Sequence, residues 1–315
     1  MKMLCPLCAD AHIIVLDTIR VSDLCTVYER GFGIDVRGEF GEVKEIFLCK
    51  CTGTDLEFFS PMVAASEGFY EKLQTSHWYY MDEKNEYVYA SQYIKKTDHV
   101  LEVGCGKGAF SKLVDMASYL GLEFSAAAQA QGVKEGIPIL RESIQDHASV
   151  NKGRYDVVCS FQVLEHVSGV RSFIQSCVDC LKPGGLLLYS VPSADSYLSR
   201  EENSILNLPP HHLTWWSDAS LKNVAPRFGL ELIGLEHEKL ADSHLQSYAR
   251  EVARKSLRRC LGLRAPLLGV SVKDRFINLL SEIIGRFYVK GLSDPFLRPI
   301  GQSVTVVYRK TLRPL

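Results

Sequence analysis

A chain of 315 residues can bury a substantial core as one large domain with additions, or as two domains. Its net charge of −1, with acids and bases interspersed, sets up no field of the kind that marks a nucleic-acid partner. No apolar run follows Met1-Lys2 and none approaches the ~18 residues of a spanning helix, so a cytoplasmic protein without an integral membrane segment is expected.

Ten cysteines in that setting point to reduced thiols or a metal rather than disulfides. Cys5-Pro6-Leu7-Cys8 is a knuckle-type pair, answered by Cys49-Lys50-Cys51, with His12 and Cys25 between. Zinc takes four tetrahedral sulfur or nitrogen ligands, usually as two close pairs, so Cys5, Cys8, Cys49 and Cys51 are the expected set. Buried structural thiols are the alternative. Four thiolates leave no open position, so any zinc here is structural. Residues 1–65 read as this cysteine-containing region. Between 66 and 96 the spacing turns helical and aromatic. Helices packed on a neighbouring domain account for it, and Trp78, Tyr79 and Tyr80 are candidates for part of a lid.

Val100-Leu101-Glu102-Val103 is a short strand, and Gly104-Cys105-Gly106-Lys107-Gly108 follows it. The spacing then predicts one helix over Ala109 to Tyr119. A strand, a glycine loop and a helix bring free N–H groups up to a ligand. Read as Gly104-x-Gly106-x-x-Ala109, the loop fits a dinucleotide. Glu102 favours another occupant, because its carboxylate repels a pyrophosphate and suits the ammonium group of a methionine-derived ligand. Glu123-Phe124 closes the next strand 19 residues after Gly104, near the offset at which an acid meets ribose hydroxyls. That role serves either ligand.

Further along, a helix over Ala126 to Glu135 precedes a strand at Ile137 to Leu140. Tyr155 to Ser160 is a near-continuous apolar run, typical of a strand buried on both faces. Phe161 and Gln162 lie just past its carboxyl end and are expected to line the crevice. A helix over Val170 to Leu181, a Lys182-Pro183-Gly184-Gly185 turn and a strand at Leu186 to Val191 follow. The loop from Ser193 to Trp216 exceeds the ~12–15 residues of an ordinary connection. It carries Pro209-Pro210-His211-His212, and His211 and His212 are expected, ahead of His166, to accept a substrate proton. Histidines bonded to loop carbonyls are the alternative. Strands at Leu230 to Glu236 and Gly301 to Tyr308 end the pattern. Between them, 240–299 is a helical insertion bearing Arg250, Arg254, Lys255, Arg258, Arg259 and Arg264. A solvated face is expected there, with peripheral membrane or anionic contact as the alternative.

Val100 to Gly108 closely resembles motif I of the class I S-adenosylmethionine (SAM) methyltransferases. Leu164-Glu165-His166-Val167 resembles motif IV of small-molecule members such as the ubiquinone-pathway O-methyltransferases, and Leu181 to Gly185 is similar to another family string. The leader resembles the zinc-ribbon of a bacterial subfamily whose second half reads Cys-x-x-Cys; Thr54 holds the last of those positions here.

The resemblance implies an α/β fold: a seven-stranded, doubly wound, Rossmann-like sheet over 66–239 plus 300–312, with the cysteine region and the helical insertion attached. It implies SAM as cofactor, contacted by Glu102, Gly104, Cys105, Gly106, Gly108, Glu123, Phe124, Ser143, Ile144, Phe161 and Gln162, with Ile144 against the adenine. His211, His212 and His166 are the implied catalytic residues. Some relatives hold magnesium with the Glu-His pair and an acid three residues earlier; Gln162 stands there, so magnesium is not expected. The expected function is methyl transfer to a small molecule such as a sugar or secondary metabolite. An NAD(P)-binding oxidoreductase and a SAM-binding pseudoenzyme or interaction module are the alternatives.

Overall fold

The computed structural model describes residues 3–74, 84–292, 294 and 298–312. Trp78, Tyr79 and Tyr80, the lid candidates, lie outside the described residues. The first elements are β1 (Ile13–Arg20), α1 (Val21–Phe32), α2 (Arg37–Phe40), β2 (Glu45–Cys51) and β3 (Glu57–Ser60). Helices α3 (Glu67–Gln74) and α4 (Asn85–Ser91) lead into β4 (His99–Val103). Then come β5 (Ser118–Leu122), α5 (Ala126–Lys134), β6 (Ile139–Leu140), α6 (Ile144–Val150), β7 (Tyr155–Phe161), α7 (Val170–Cys180) and β8 (Leu181–Pro192).

Those strands, with β10 and β11 below, make a seven-stranded sheet in the order β10-β11-β8-β7-β4-β5-β6. Strands β4 to β8 are parallel, and β11 (Ile300–Lys310) runs antiparallel between β8 and β10 (Leu230–Lys239). The chain winds from β4 outward to β6, then returns to β7 and builds the other way. The turnaround opens a crevice at the carboxyl ends of β4 and β7. Val100, Leu101, Val157, Val158, Leu187 and Leu188 are fully buried, as sheet residues covered on both faces must be.

The helix expected over Ala109 to Tyr119 is a correction: only a single 3-10 turn forms, Ala109–Lys112. Strand pairing wins over helix propensity. Ser118 to Leu122 register against His99 to Val103 in parallel, and the intervening residues must return the chain to the start of β5. Ala117 N–H donates to the Asp98 carbonyl at 3.0 Å as the chain re-enters the sheet. After α7, Lys182-Pro183-Gly184-Gly185 stands out of register as expected of a turn: Tyr155 faces Leu181 and Val157 faces Leu186, with Gly184 at φ 78° between, although β8 as a whole runs from Leu181.

A second, four-stranded antiparallel sheet has the order β1-β2-β3-β9, where β9 is Thr214–Trp215. Its last strand comes from the long Ser193–Trp216 loop, so that loop is pinned to the N-terminal region by Glu57↔Trp215 and Phe58↔Thr214 pairing. After β9, α8 (Asp218–Lys222) is capped by Ser217, whose hydroxyl accepts from Ser220 N–H.

The insertion between β10 and β11 holds α9 (Leu245–Cys260) and α10 (Val272–Tyr288), which pack on each other. Lys255, Arg259 and Arg264 are exposed, as expected of a solvated face, but Arg254 and Arg258 are buried and correct that expectation. Arg258 donates to Glu202 Oε2 at 2.6 Å and Asp274 Oδ1 at 2.7 Å, and Arg254 to Glu251 Oε2 at 2.6 Å, all buried or nearly so. Arg250 reaches Glu201 at 3.4 Å and Arg264 reaches the Leu16 carbonyl at 3.1 Å. A buried guanidinium needs such partners, and through Glu202, which both contact, Arg254 and Arg258 join the insertion to the protein. No helix among the described residues is long and apolar enough to cross a membrane.

Candidate active site

The glycine loop leaves β4 with Gly104, Gly106 and Gly108 at φ of 74°, 55° and 77°, a region where a Cβ is strained. At Gly108 a Cβ would also come within 2.8 Å of Ile137. Gly104 and Cys105 N–H both donate to the Leu122 carbonyl, at 2.8 and 3.1 Å, which ties the loop to the end of β5. One residue on, Glu123 accepts from Gly106 N–H at 2.9 Å through one oxygen and from Ser125 N–H at 2.7 Å through the other. Each carboxylate oxygen keeps a lone pair for a further donor. Phe124 beside it is 64 % exposed, an apolar ring at the mouth of the crevice.

The remaining cofactor candidates are placed differently. Glu102 turns into the protein, where Tyr119 OH donates to it at 2.5 Å; burial pushes its carboxyl up to about 8, against that hydrogen bond. It supports the loop from beneath, which corrects the expectation of direct contact. Cys105 contributes backbone only, since its side chain is buried in a small cluster with Ile137 and Ile139. Ser143 caps α6, its hydroxyl accepting from Asp146 N–H at 3.0 Å. Ile144 is in the main core at 3 % exposure, so it has no free face to offer an adenine. Phe161 is likewise buried, edge-on to Tyr87 with centroids 5.0 Å apart. Gln162 sits at φ 58°, and its amide nitrogen lies 3.2 Å from both Ser190 Oγ and Ser303 Oγ. A non-glycine residue held left-handed at the end of a central parallel strand is a mark of a constrained site.

Across the crevice the structure brings the three histidine candidates together. Ring centroids are 4.5 Å apart for His166 and His211, 4.8 Å for His166 and His212, and 4.6 Å for the stacked His211 and His212. His166 stands on the turn after β7, and the other two on the long loop. Each spends its Nδ1 on an oxygen: His166 on the His211 carbonyl at 2.6 Å, His211 on the Leu206 carbonyl at 2.8 Å, His212 on Asn207 Oδ1 at 3.0 Å. Asn207 Nδ2 donates to the Leu198 carbonyl at 3.3 Å, so its Oδ1 is the acceptor. Carbonyl oxygens only accept; Nδ1 therefore carries the proton in all three rings, and Nε2 the lone pair.

Glu165 completes the group, and the residue-by-residue reading of the sequence did not select it. Its Oε1 lies 3.7 Å from His166 Nε2 and 4.0 Å from His212 Nε2. The side chain is 1 % exposed, and among the described residues neither oxygen has a hydrogen-bond partner. Burial pushes the carboxyl up to about 8 and the His166 imidazole down to about 4, with His211 and His212 also held well below the usual range. The signal for Glu165 was the Glu-His pair itself. Its aim could be known only once the loop was placed.

The N-terminal region holds this loop in position. Trp215 Nε1 donates to the Asn207 carbonyl at 2.7 Å, and Tyr28 OH to the Ile205 and Leu208 carbonyls at 3.0 and 3.1 Å. Tyr70 on α3 stands edge-on to His166, with ring centroids 5.9 Å apart.

Of the four zinc candidates, Cys5, Cys8 and Cys51 converge, their sulfurs within 4.8 Å of one another. Cys49 does not join them. It lies two residues along β2 from Cys51, about 7 Å by strand geometry, and its thiol meets Met3 Sδ at 3.5 Å and the Phe47 carbonyl at 3.7 Å. Thr54 takes the fourth corner, its hydroxyl 3.4 Å from Cys5 Sγ. A hydroxyl is a poor zinc ligand, so the trio is one ligand short of a closed structural site.

A doubly wound sheet with a lone antiparallel strand between β8 and the edge, a left-handed glycine loop after β4 and an acid closing β5 define the class I SAM-dependent methyltransferases. The Methyltransferase domain family matches residues 73–235, just over half of the chain, and the protein belongs to that family. It is 34 % identical over 99 residues to the ubiquinone biosynthesis O-methyltransferase of Cronobacter sakazakii, covering 29 % of this chain and 41 % of that protein. The Escherichia coli protein of the same name is 32 % identical over 99 residues, with the same coverage. The chain thus spans about two fifths of the length of the curated relatives it matches. In fold it is similar to a SAM-dependent methyltransferase from Archaeoglobus fulgidus, with a TM-score of 0.50 and 16 % identity over 78 % of this chain and all of that one.

Proposed function

We propose that this enzyme transfers the SAM methyl group to an oxygen of a small-molecule acceptor, a hydroxylated metabolite or sugar, held between the glycine loop and the histidine cluster. The observation that carries the reading is Glu123. Its carboxylate is clamped by Gly106 and Ser125 N–H at the mouth of the crevice, with spare lone pairs and the exposed Phe124 ring beside it. That arrangement fits a nucleoside: the carboxylate accepts from the ribose hydroxyls, Phe124 covers the adenine, and the glycine backbones admit the methionine moiety without a side chain in the way. Bound SAM supplies an electrophilic sulfonium methyl group. The protein's own contribution is to orient the acceptor and exclude water.

The histidine cluster supports an oxygen acceptor. Three imidazoles that each spend Nδ1–H on an oxygen keep a lone pair on Nε2, which accepts a hydrogen bond from a hydroxyl and orients its oxygen toward the methyl group. The relatives' printed name, an O-methyltransferase of ubiquinone biosynthesis, supports the same choice. Methyl-labelled SAM incubated with separated small-molecule, nucleic-acid and protein fractions tests it. Label is expected in the small-molecule fraction as an alkali-stable methyl ether. Label confined to protein or nucleic acid, or attached to nitrogen, would overturn the reading. The cysteine trio, with Thr54 at its fourth corner, is proposed to be a degenerate structural zinc site that packs the N-terminus against the main core.

A further inference from the structure

Three imidazoles crowd together in the protein interior, and Glu165 Oε1 stands beside two of them, 3.7 Å from His166 Nε2 and 4.0 Å from His212 Nε2. Glu165 offers a carboxylate with no hydrogen-bond partner. His166, His211 and His212 each present a ring nitrogen, all three within 4.8 Å of one another. Lone pairs that face each other in a low-dielectric setting repel unless a cation or a proton lies between them.

The outer contacts have the form that holds metal ligands. Each imidazole gives its Nδ1–H to a carbonyl or amide oxygen, which sets the ring's orientation and aims Nε2 inward. The supports are themselves fastened: Asn207 by its own bond to Leu198 and by Trp215, the loop by Tyr28. A histidine kept only for packing needs no such fixing, and here all three rings are fixed.

We propose that Glu165, His166, His211 and His212 form a mononuclear binding site for a divalent transition-metal ion. The chemistry of the set selects the ion. Three neutral nitrogens and one carboxylate suit zinc, iron(II), cobalt(II), nickel(II) or manganese(II), whereas magnesium prefers an all-oxygen shell. The site is distinct from the cysteine trio, and it goes beyond the proposed function, since metal uptake is read without SAM or acceptor.

The test is cobalt(II) titration of the intact, chelator-stripped protein, followed by visible absorption. The two clusters differ in spectrum, because only thiolate-bound cobalt shows sulfur-to-metal charge transfer in the near ultraviolet. One cobalt per chain with ligand-field bands but no thiolate charge transfer is the expected result. His212→Gln and Glu165→Gln are each expected to weaken that uptake by at least about 100-fold, and Asn207→Ala, which loses only an outer contact, by about 10–100-fold. Cooperative thermal melting checks that the variants fold. Glu165→Gln keeps the volume and removes only the charge, so it decides the matter should His212→Gln fail to fold. Cobalt uptake of the thiolate type alone, or nitrogen-type uptake unchanged by Glu165→Gln, would overturn the site.

Discussion

The two walls of the crevice are built on opposite plans. The glycine-loop wall is local: residues 104–108 and 123–125 complete it, and backbone N–H groups supply most of its polar contacts. The histidine wall is assembled from distant parts, the turn after β7 and the long loop, with N-terminal residues such as Tyr28 as struts. A wall made of backbone tolerates few substitutions but needs little support. One made of converging side chains depends on every strut, which explains why a loop more than 150 residues from β3 pairs with it as β9.

The largest expected effect of a single substitution is therefore in the loop itself. Gly104→Ala puts a Cβ at positive φ and into contact with Val163. Strain and overpacking of about 1–3 kcal/mol each should lower the melting temperature and abolish binding of S-adenosylhomocysteine (SAH). A variant with wild-type melting and affinity would show that the loop is not tightly built.

Glu102 gives a pH signature. Burial holds its carboxyl near 8, above the ordinary 4.5, so the folded protein keeps a proton that the unfolded chain releases. Its contribution is fully present below about pH 4.5 and is lost as pH rises through about 8, on the order of a few kcal/mol in all. Buried Glu251, pushed up to about 7, acts in the same direction. Urea midpoints of the ligand-free protein should fall between pH 5.5 and 8.5, and Glu102→Gln should flatten part of that fall. An identical slope in the variant would contradict the buried, protonated acid.

Glu123→Ala is expected to weaken SAH binding by about 10–100-fold, the value of one or two hydrogen bonds to a charged group. Calorimetry reads it directly. The smallest effect concerns a strut. Trp215→Phe keeps the packing against Phe59 but loses the bond to the Asn207 carbonyl, at about 1 kcal/mol of stability. It should lower turnover while leaving SAH affinity unchanged. Equal losses in both would show that the two walls are not separable.

The same contrast explains what could be read in the chain. All seven strands of the main sheet were legible, because Val100, Val157, Val158, Leu187 and Val306 lie in short apolar runs bounded by glycine, proline or charge. The place of Glu123 beside the glycine loop was legible because it depends on an offset within one strand–loop–strand unit. The helix expected over Ala109 to Tyr119 was misjudged: only its first turn forms, and its last residues, Ser118 and Tyr119, pair with β4 instead. Ile144 and Phe161 were placed at the right strand ends, yet which way a side chain turns there is decided by packing. Glu102 went the same way, drawn inward by Tyr119. Cys49 failed by one strand pleat, a distance that spacing along the chain does not reveal. The convergence of Glu165 with His211 and His212 was beyond reach, since no local pattern encodes the fold of a 24-residue loop onto a distant turn.

The central claim is that the glycine loop and Glu123 hold the nucleoside of SAM. Isothermal titration of the intact protein with SAH, run beside NADH, tests it most directly. The account predicts saturable one-to-one binding of SAH and none of NADH. Heat from NADH alone, or silence toward SAH in a folded sample, would contradict it.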